Sequence, residues 1–255
     1  MEFIDTHSHM YDEAFFEEED LAMQRAVDAG VTKLIFPDID SKSRDSMFAL
    51  AERHPDNIFP CLGLHPTSID ADWENEMIQM GKHLTRKIWA IGEIGIDCYW
   101  SKEFLEQQKE AFRIQLETAA KRDLPVIIHS RESTELIINL LKETQHLGSR
   151  GIFHAYSGSL ETFRQLQKLG DWYVGIGGVL TYRKASIAET VKDIPLDRIV
   201  LETDSPYLTP VPFRGKRNES SYIPHIAEKL AELTGKELSE IAYTTTQNAK
   251  KIFNL

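Results

Sequence analysis

The chain's 255 residues are 42% hydrophobic and 27% charged, with 14 Gly, 10 Pro and two Cys, a composition that excludes disordered, collagen-like and disulfide-scaffold classes. Its 29 Lys and Arg against 40 Asp and Glu leave a formal charge of −11. Such a surface repels phosphate backbones and anionic membranes, so sequence-blind coating of nucleic acid is disfavoured.

The opening residues MEFIDTHSHM carry acid where a secretory signal needs base, and no apolar core follows. No stretch approaches the roughly 20 apolar residues needed to span a bilayer. A cytoplasmic protein is expected, with Cys61 and Cys98 as free thiols. From there short apolar runs alternate with longer amphipathic ones, the pattern of parallel strands joined by crossover helices. Strands are predicted at 3–5, 33–37, 58–63, 88–91, 126–129, 151–154, 172–176 and 199–202. Helices are predicted at 21–29, ended by Gly30, and at 104–122, with Leu105, Phe112, Leu116 and Ala119 along one side. Leu160, Phe163, Leu166 and Leu169 mark a further one, and 222–255 reads as two closing helices. This predicts an α/β fold, a (β/α)8 TIM barrel, as one domain over residues 1–255. An open doubly wound sheet is the alternative, weakened by the lack of Gly-x-Gly-x-x-Gly or Gly-Lys-Ser/Thr loops.

In a barrel the carboxyl ends of the strands open on one mouth, so polar groups ending different strands converge. The first strand runs into Asp5-Thr6-His7-Ser8-His9, where alternation puts His7 and His9 on one side. The fourth runs into Glu93, the fifth ends at His129, the sixth at His154, and the eighth continues through Glu202 to Asp204. Any one of these histidines is ordinarily a hydrogen-bonded core residue. Their joint placement at strand ends is not explained that way. Four imidazoles and two carboxylates exceed one tetrahedral ion and are too rich in nitrogen for calcium. Two divalent ions (Mg, Mn or Zn) suit the set, with His7, His9 and Asp204 on the first, His129 and His154 on the second, and Glu93 bridging. A closed structural zinc site is the alternative.

The strings FIDTHSHM, GLHP, IGEIGIDCYW, PVIIHSRES, HAYSGS and VLETDSPYL, followed by PVPFRGKRNES, resemble the TatD family of metal-dependent deoxyribonucleases. The likeness runs in order from Phe3 to the Asn248 region. It implies an amidohydrolase-like barrel, two divalent cations and hydrolysis of DNA phosphodiesters, typically from the 3′ end. It assigns His7, His9, Glu93, His129, His154 and Asp204 to the metals, the set also reached from the strand ends. It also places His65 at the mouth, where an imidazole can bind a phosphate oxygen or the leaving group. Where the family commonly has Cys after the sixth-strand His, this chain has Ala155, which argues against thiol chemistry there.

The reaction read from this set is attack of a metal-bridging hydroxide on phosphorus, with Asp204 and Glu93 as the catalytic carboxylates. Substrate contacts fall to His65, Arg131, Ser157 ahead of a helix, and Arg217 in a basic run with Arg214 and Lys216 that otherwise reads as a solvated face. Glu202 is either an orienter of a ligand histidine or an ordinary buried carboxylate. Tyr99, Trp100, Tyr156, Tyr182 and Tyr207 follow strands and serve either base stacking or rim packing. A 3′-5′ exonuclease on single-stranded or damaged DNA is expected, with DNA ends or single strands as partner, no membrane and no stable protein partner. Two alternatives stay open: a deacylase or amidohydrolase acting on an ester or amide, such as a D-aminoacyl-tRNA, and an idle barrel that keeps metals for stability.

Overall fold

The computed structural model describes residues 1–255. Eight strands follow one another in space in chain order: β1 Phe3–Asp5, β2 Val31–Phe36, β3 Ile58–Pro60, β4 Ile91–Asp97, β5 Val126–Arg131, β6 Gly151–Phe153, β7 Trp172–Ile176 and β8 Ile199–Leu201. All the ladders are parallel, β1 to β3 in one sheet and β4 to β8 in another. Two seams join the sheets. At one, the Thr6 N–H donates to the Leu201 carbonyl (3.0 Å) and the His9 N–H to that of Ser205 (2.8 Å). At the other, Leu62 donates to Ala90 (3.2 Å) and Gly92 to Leu62 (3.0 Å). With both seams bonded the ring has no free edge, so the fold is a (β/α)8 barrel and the open sheet is excluded.

Helices α1 Glu19–Asp28, α2 Ser41–Arg53, α3 Trp73–Lys82, α4 Leu105–Arg122, α5 Thr134–Glu143 and α6 Leu160–Gln167 fill the successive crossovers. The crossover after β7 shrinks to α7 Ile187–Thr190 among 3₁₀ turns, and α8 Ile223–Thr234 and α9 Leu238–Phe253 complete the shell. α1 stops where predicted, Gly30 taking the left-handed φ of 85°.

Strand alternation sorts the apolar residues into two cores. Val126, Ile128, Phe153, Val174, Ile199 and Leu201 face the helices. Ile4, Ile35, Phe59, Ile127, Ile152, Tyr173 and Val200 fill the barrel, where Ala249, Ile252 and Phe253 of α9 plug one end. The position of β4 is the main departure from the sequence reading. It was expected at 88–91, yet it runs to Asp97, with Ile94 to Asp97 paired to Ile128 to Arg131. Gly92 and Gly95 disguise it, since glycine is poor in strands. Gly95 is required, because a Cβ there would lie 2.0 Å from the His129 carbonyl oxygen. A register shift between Ile91 and Ile94 lets both reach the helix side although they are three residues apart. Glu93, Gly95 and Asp97 then share the other face.

Candidate metal centre and active site

Three strands deliver their polar groups by simple continuation of the inward face. His129 lies two residues past Ile127, His154 two past Ile152 and Glu202 two past Val200, all three apolar residues being inside the barrel. β1 behaves differently. His7 and His9 lie three and five residues past the inward Ile4, an odd offset that a regular strand would turn away. The chain leaves the ladder after Asp5, whose buried carboxylate accepts from the His7 N–H (3.2 Å), the Thr203 N–H (3.0 Å) and the Thr203 hydroxyl (2.5 Å). Asp5 thereby ties the His-x-His segment to the segment carrying Asp204, and burial lifts its carboxyl to about 6. The Asp204 N–H donates to the His7 carbonyl (2.8 Å) at the same junction.

Glu93 stands at the centre, 2% exposed. Its Oε2 is 3.0 Å from His7 Nε2 and 3.6 Å from His9 Nε2. Its Oε1 is 2.8 Å from His154 Nε2, 2.9 Å from His129 Nδ1 and 3.2 Å from His65 Nε2. Asp204 Oδ1 closes the first group at 3.7 Å from His7 Nε2 and 3.6 Å from His9 Nε2. Burial alone would raise Glu93, but the surrounding imidazoles of His154, His65 and His7 hold it well below the ordinary carboxylate value. Burial opposes charge on His154 too, yet Glu93 lifts it to about 10. Burial pushes Asp204 up to about 7 and His9 down to about 4.

The hydrogen-bond partners assign the ring nitrogens. The Tyr11 hydroxyl gives its proton to the Pro37 carbonyl, so at His9 Nδ1, 2.8 Å away, it accepts; His9 Nε2 is left with a lone pair. His129 Nε2 donates to Asp97 Oδ2 (2.9 Å), which leaves its Nδ1 lone pair aimed at Glu93 Oε1. The Thr67 N–H donates to His65 Nδ1 (3.1 Å), so His65 Nε2 carries the proton and points it into the site. His7 Nδ1 and His154 Nδ1 are buried without a hydrogen-bond partner. Lone pairs that face one another and a carboxylate at about 3 Å repel unless positive charge lies among them. The donors therefore fit divalent cations: His7, His9 and Asp204 form one nest, and His129 Nδ1 and His154 Nε2 converge on Glu93 Oε1 in another, with no thiolate to favour a soft ion.

Several supports escaped the sequence reading. Asp97 aims His129 as a carboxylate orienter does; it was hidden by ending β4 too early. On α4, Gln115 bonds both N–H and C=O of Leu64 (2.7 and 3.3 Å), and Gln108 does the same for Asp97 (2.9 and 3.3 Å). Their seven-residue spacing on the apolar face was the available signal. Glu202, which the sequence did offer as an orienter or an ordinary buried carboxylate, accepts from the Ala155 N–H and lies 3.8 Å from His154 Nδ1; burial raises it to about 8. It packs over Gly175, where a Cβ would meet Glu202 Oε2 at 1.9 Å.

The cluster opens into a cavity of about 750 Å³ at the mouth, lined also by His65, Arg131, Ser157 and Ala155. The Ser159 hydroxyl, not Ser157, caps α6. Arg217 is not at the cavity. It pairs with Glu18 (2.6 Å), donates to the Ala14 carbonyl (2.6 Å) and lies over the Phe15 ring. Arg214 rests on Tyr182 at 4.1 Å. The basic run is thus occupied in pinning loops, because those neighbours offer it partners nearer than the mouth.

A closed barrel whose strand ends bring imidazoles and carboxylates into cation-sized nests defines a metal-dependent hydrolase. The model of TatD-related DNases matches residues 4–254, and the chain belongs to that family. It is 39% identical over 255 residues to the uncharacterized metal-dependent hydrolase YabD of Bacillus subtilis (strain 168), covering 98% of each chain. It is 32% identical over 249 residues to the 3′-5′ ssDNA/RNA exonuclease TatD of Erwinia tasmaniensis, covering 94% of this chain and 95% of that one. The crystal structure of YjjV, a TatD homologue from Escherichia coli K12, superposes with a TM-score of 0.89 at 32% identity, over 99% of this chain and 98% of that one. No helix is long and apolar enough to cross a membrane.

Proposed function

We propose that this hydrolase cleaves DNA phosphodiester bonds, acting as a 3′-5′ exonuclease on single-stranded or damaged ends, in the cytoplasm and with two divalent ions (Mg, Mn or Zn). The observation that carries the two-ion reading is Glu93, whose oxygens face separate imidazole groups, His7 with His9 and His129 with His154. The relative named as a single-strand exonuclease supports the choice of substrate.

Bound divalent cations supply charge against the phosphate oxygens and acidify water at the site. The chain's own groups do the rest. Asp204, whose Oδ1 faces the His7 and His9 nitrogens, is placed to take a proton from attacking water. His65 presents Nε2–H to the site and serves as donor to a phosphate or leaving oxygen. Arg131 and the Ser157 hydroxyl, on the cavity wall, hold the flanking phosphate. Free, buried Cys61 and Cys98 accord with a reducing compartment.

The rival is a deacylase using the same centre on a carbonyl carbon, as on a D-aminoacyl-tRNA; unpaired Arg131 on the cavity wall favours phosphate. The test is incubation of metal-loaded protein with end-labelled single-stranded DNA and, separately, with aminoacyl esters. Stepwise shortening from the 3′ end is expected. Intact DNA beside rapid ester cleavage overturns the reading.

A further inference from the structure

The cavity rim carries two adjacent aromatic rings that packing leaves uncovered. Trp100 is 69% exposed and Tyr99 50%, and Trp100 lines the cavity beside Arg131. The rings meet edge to face, centroids 5.0 Å apart. The Arg131 guanidinium lies 3.7 Å over Tyr99 and 5.3 Å from Trp100 and has no carboxylate partner, so the pair is braced on one side by a cation. The mount is rigid. Asp97 Oδ1 accepts from the N–H groups of both Tyr99 (2.9 Å) and Trp100 (3.1 Å), while its Oδ2 holds His129 (2.9 Å). One carboxylate therefore fixes the aromatic pair relative to the metal centre.

An exposed indole beside an unpaired guanidinium at the edge of the cavity that holds the metal-ligand cluster matches a nucleotide, whose base offers a π-face and whose phosphate offers charge. We infer that Trp100, backed by Tyr99 and Arg131, is the stacking platform for an unpaired nucleobase of the strand whose phosphate enters the centre. The inference rests on the nuclease reading and adds a requirement: the base must be free to stack, so paired or missing bases at the end weaken binding.

The test uses full-length metal-loaded protein, a 5′-fluorescein dodecathymidylate, and the same oligonucleotide with its three 3′ nucleotides replaced by tetrahydrofuran abasic units. Binding is read by anisotropy in an Asp204→Asn background and by quenching of indole fluorescence with unlabelled oligonucleotides. Trp100 is the one exposed tryptophan. The intact strand should bind roughly tenfold tighter than the abasic one, the order expected for stacking on one ring. Trp100→Ala should abolish that difference and raise KM with little change in kcat, and Trp100→Phe should restore most of it while removing the quench. Equal binding of the two strands in the Asp204→Asn background with Trp100 intact, or an unchanged KM in Trp100→Ala with unchanged circular dichroism, overturns the platform while leaving the nuclease intact. Preferential binding of the intact strand in that background, with no cleavage of it by wild type, supports the platform and sinks the nuclease.

Discussion

The two halves of the barrel interior are built from the same strands and differ by one step along them. At the end covered by α9, the inward positions are Ile127, Ile152, Tyr173 and Val200, sealed by Ile252 and Phe253. Two residues on, the same face carries His129, His154, Gly175 and Glu202. The first half gains free energy from removing apolar surface from water. The second gathers buried polar groups that a core would ordinarily reject, and two imidazole nitrogens stay unpartnered. Stability and chemistry are thus stacked along one axis, and the α4 glutamines and Asp97 stiffen the polar half.

That division breaks most sharply under paired substitutions. Glu93→Ala should lower kcat on the order of a thousandfold or more, and its cost to the metal-free fold should be confined to the lost pairing with His154. Phe253→Ala in the plug should do the reverse. It should cost about 3–5 kcal/mol in denaturant unfolding and leave kcat of the folded fraction unchanged. If Phe253→Ala lowers kcat of the folded fraction as well, the halves are not separable.

A smaller effect tests the stiffening. Asp97→Asn should weaken divalent binding about 10–100-fold, as measured by calorimetry, without moving the cation-free melting point by the amount a plug residue does. Proton linkage sharpens the contrast further. In the cation-free protein His154 is raised to about 10, Glu202 to about 8 and Asp204 to about 7. All three bind protons more tightly folded than unfolded. Their contribution to stability is therefore present at low pH and lost as pH climbs through those values, ending near 10 for His154. Cations displace the His154 proton, so their affinity should drop about tenfold per unit as pH falls. Calorimetry in buffers of different ionisation heat should show proton release, and its absence would show that His154 does not hold a proton there. The smallest change is expected from Arg217→Ala, which should loosen the segment around Glu18 and leave KM for DNA where it is.

How far the sequence was legible varied by element. The strands at 126–129, 151–154 and 172–176 were read almost as they stand, because buried parallel strands are continuous apolar runs. β4 was misplaced by its glycines, and Asp97 went unseen with it. His65 was reached only through the family resemblance, since nothing local separates it from a surface-loop histidine. Arg217 was assigned to substrate from its charge, but what a charge touches is set by its neighbours in space; here these are Glu18 and Phe15.

By itself the sequence determined the strand-helix alternation, the in-out pattern of the strands and the kinds of ligand available, because these follow from periodicity and side-chain chemistry over short spans. Only the tertiary structure decided that Glu93 sits between two imidazole groups, that Tyr11, Asp97 and Thr67 set which ring nitrogens carry protons, and that both seams close. Those outcomes depend on ångström-scale distances between residues far apart in the chain, which no local pattern encodes.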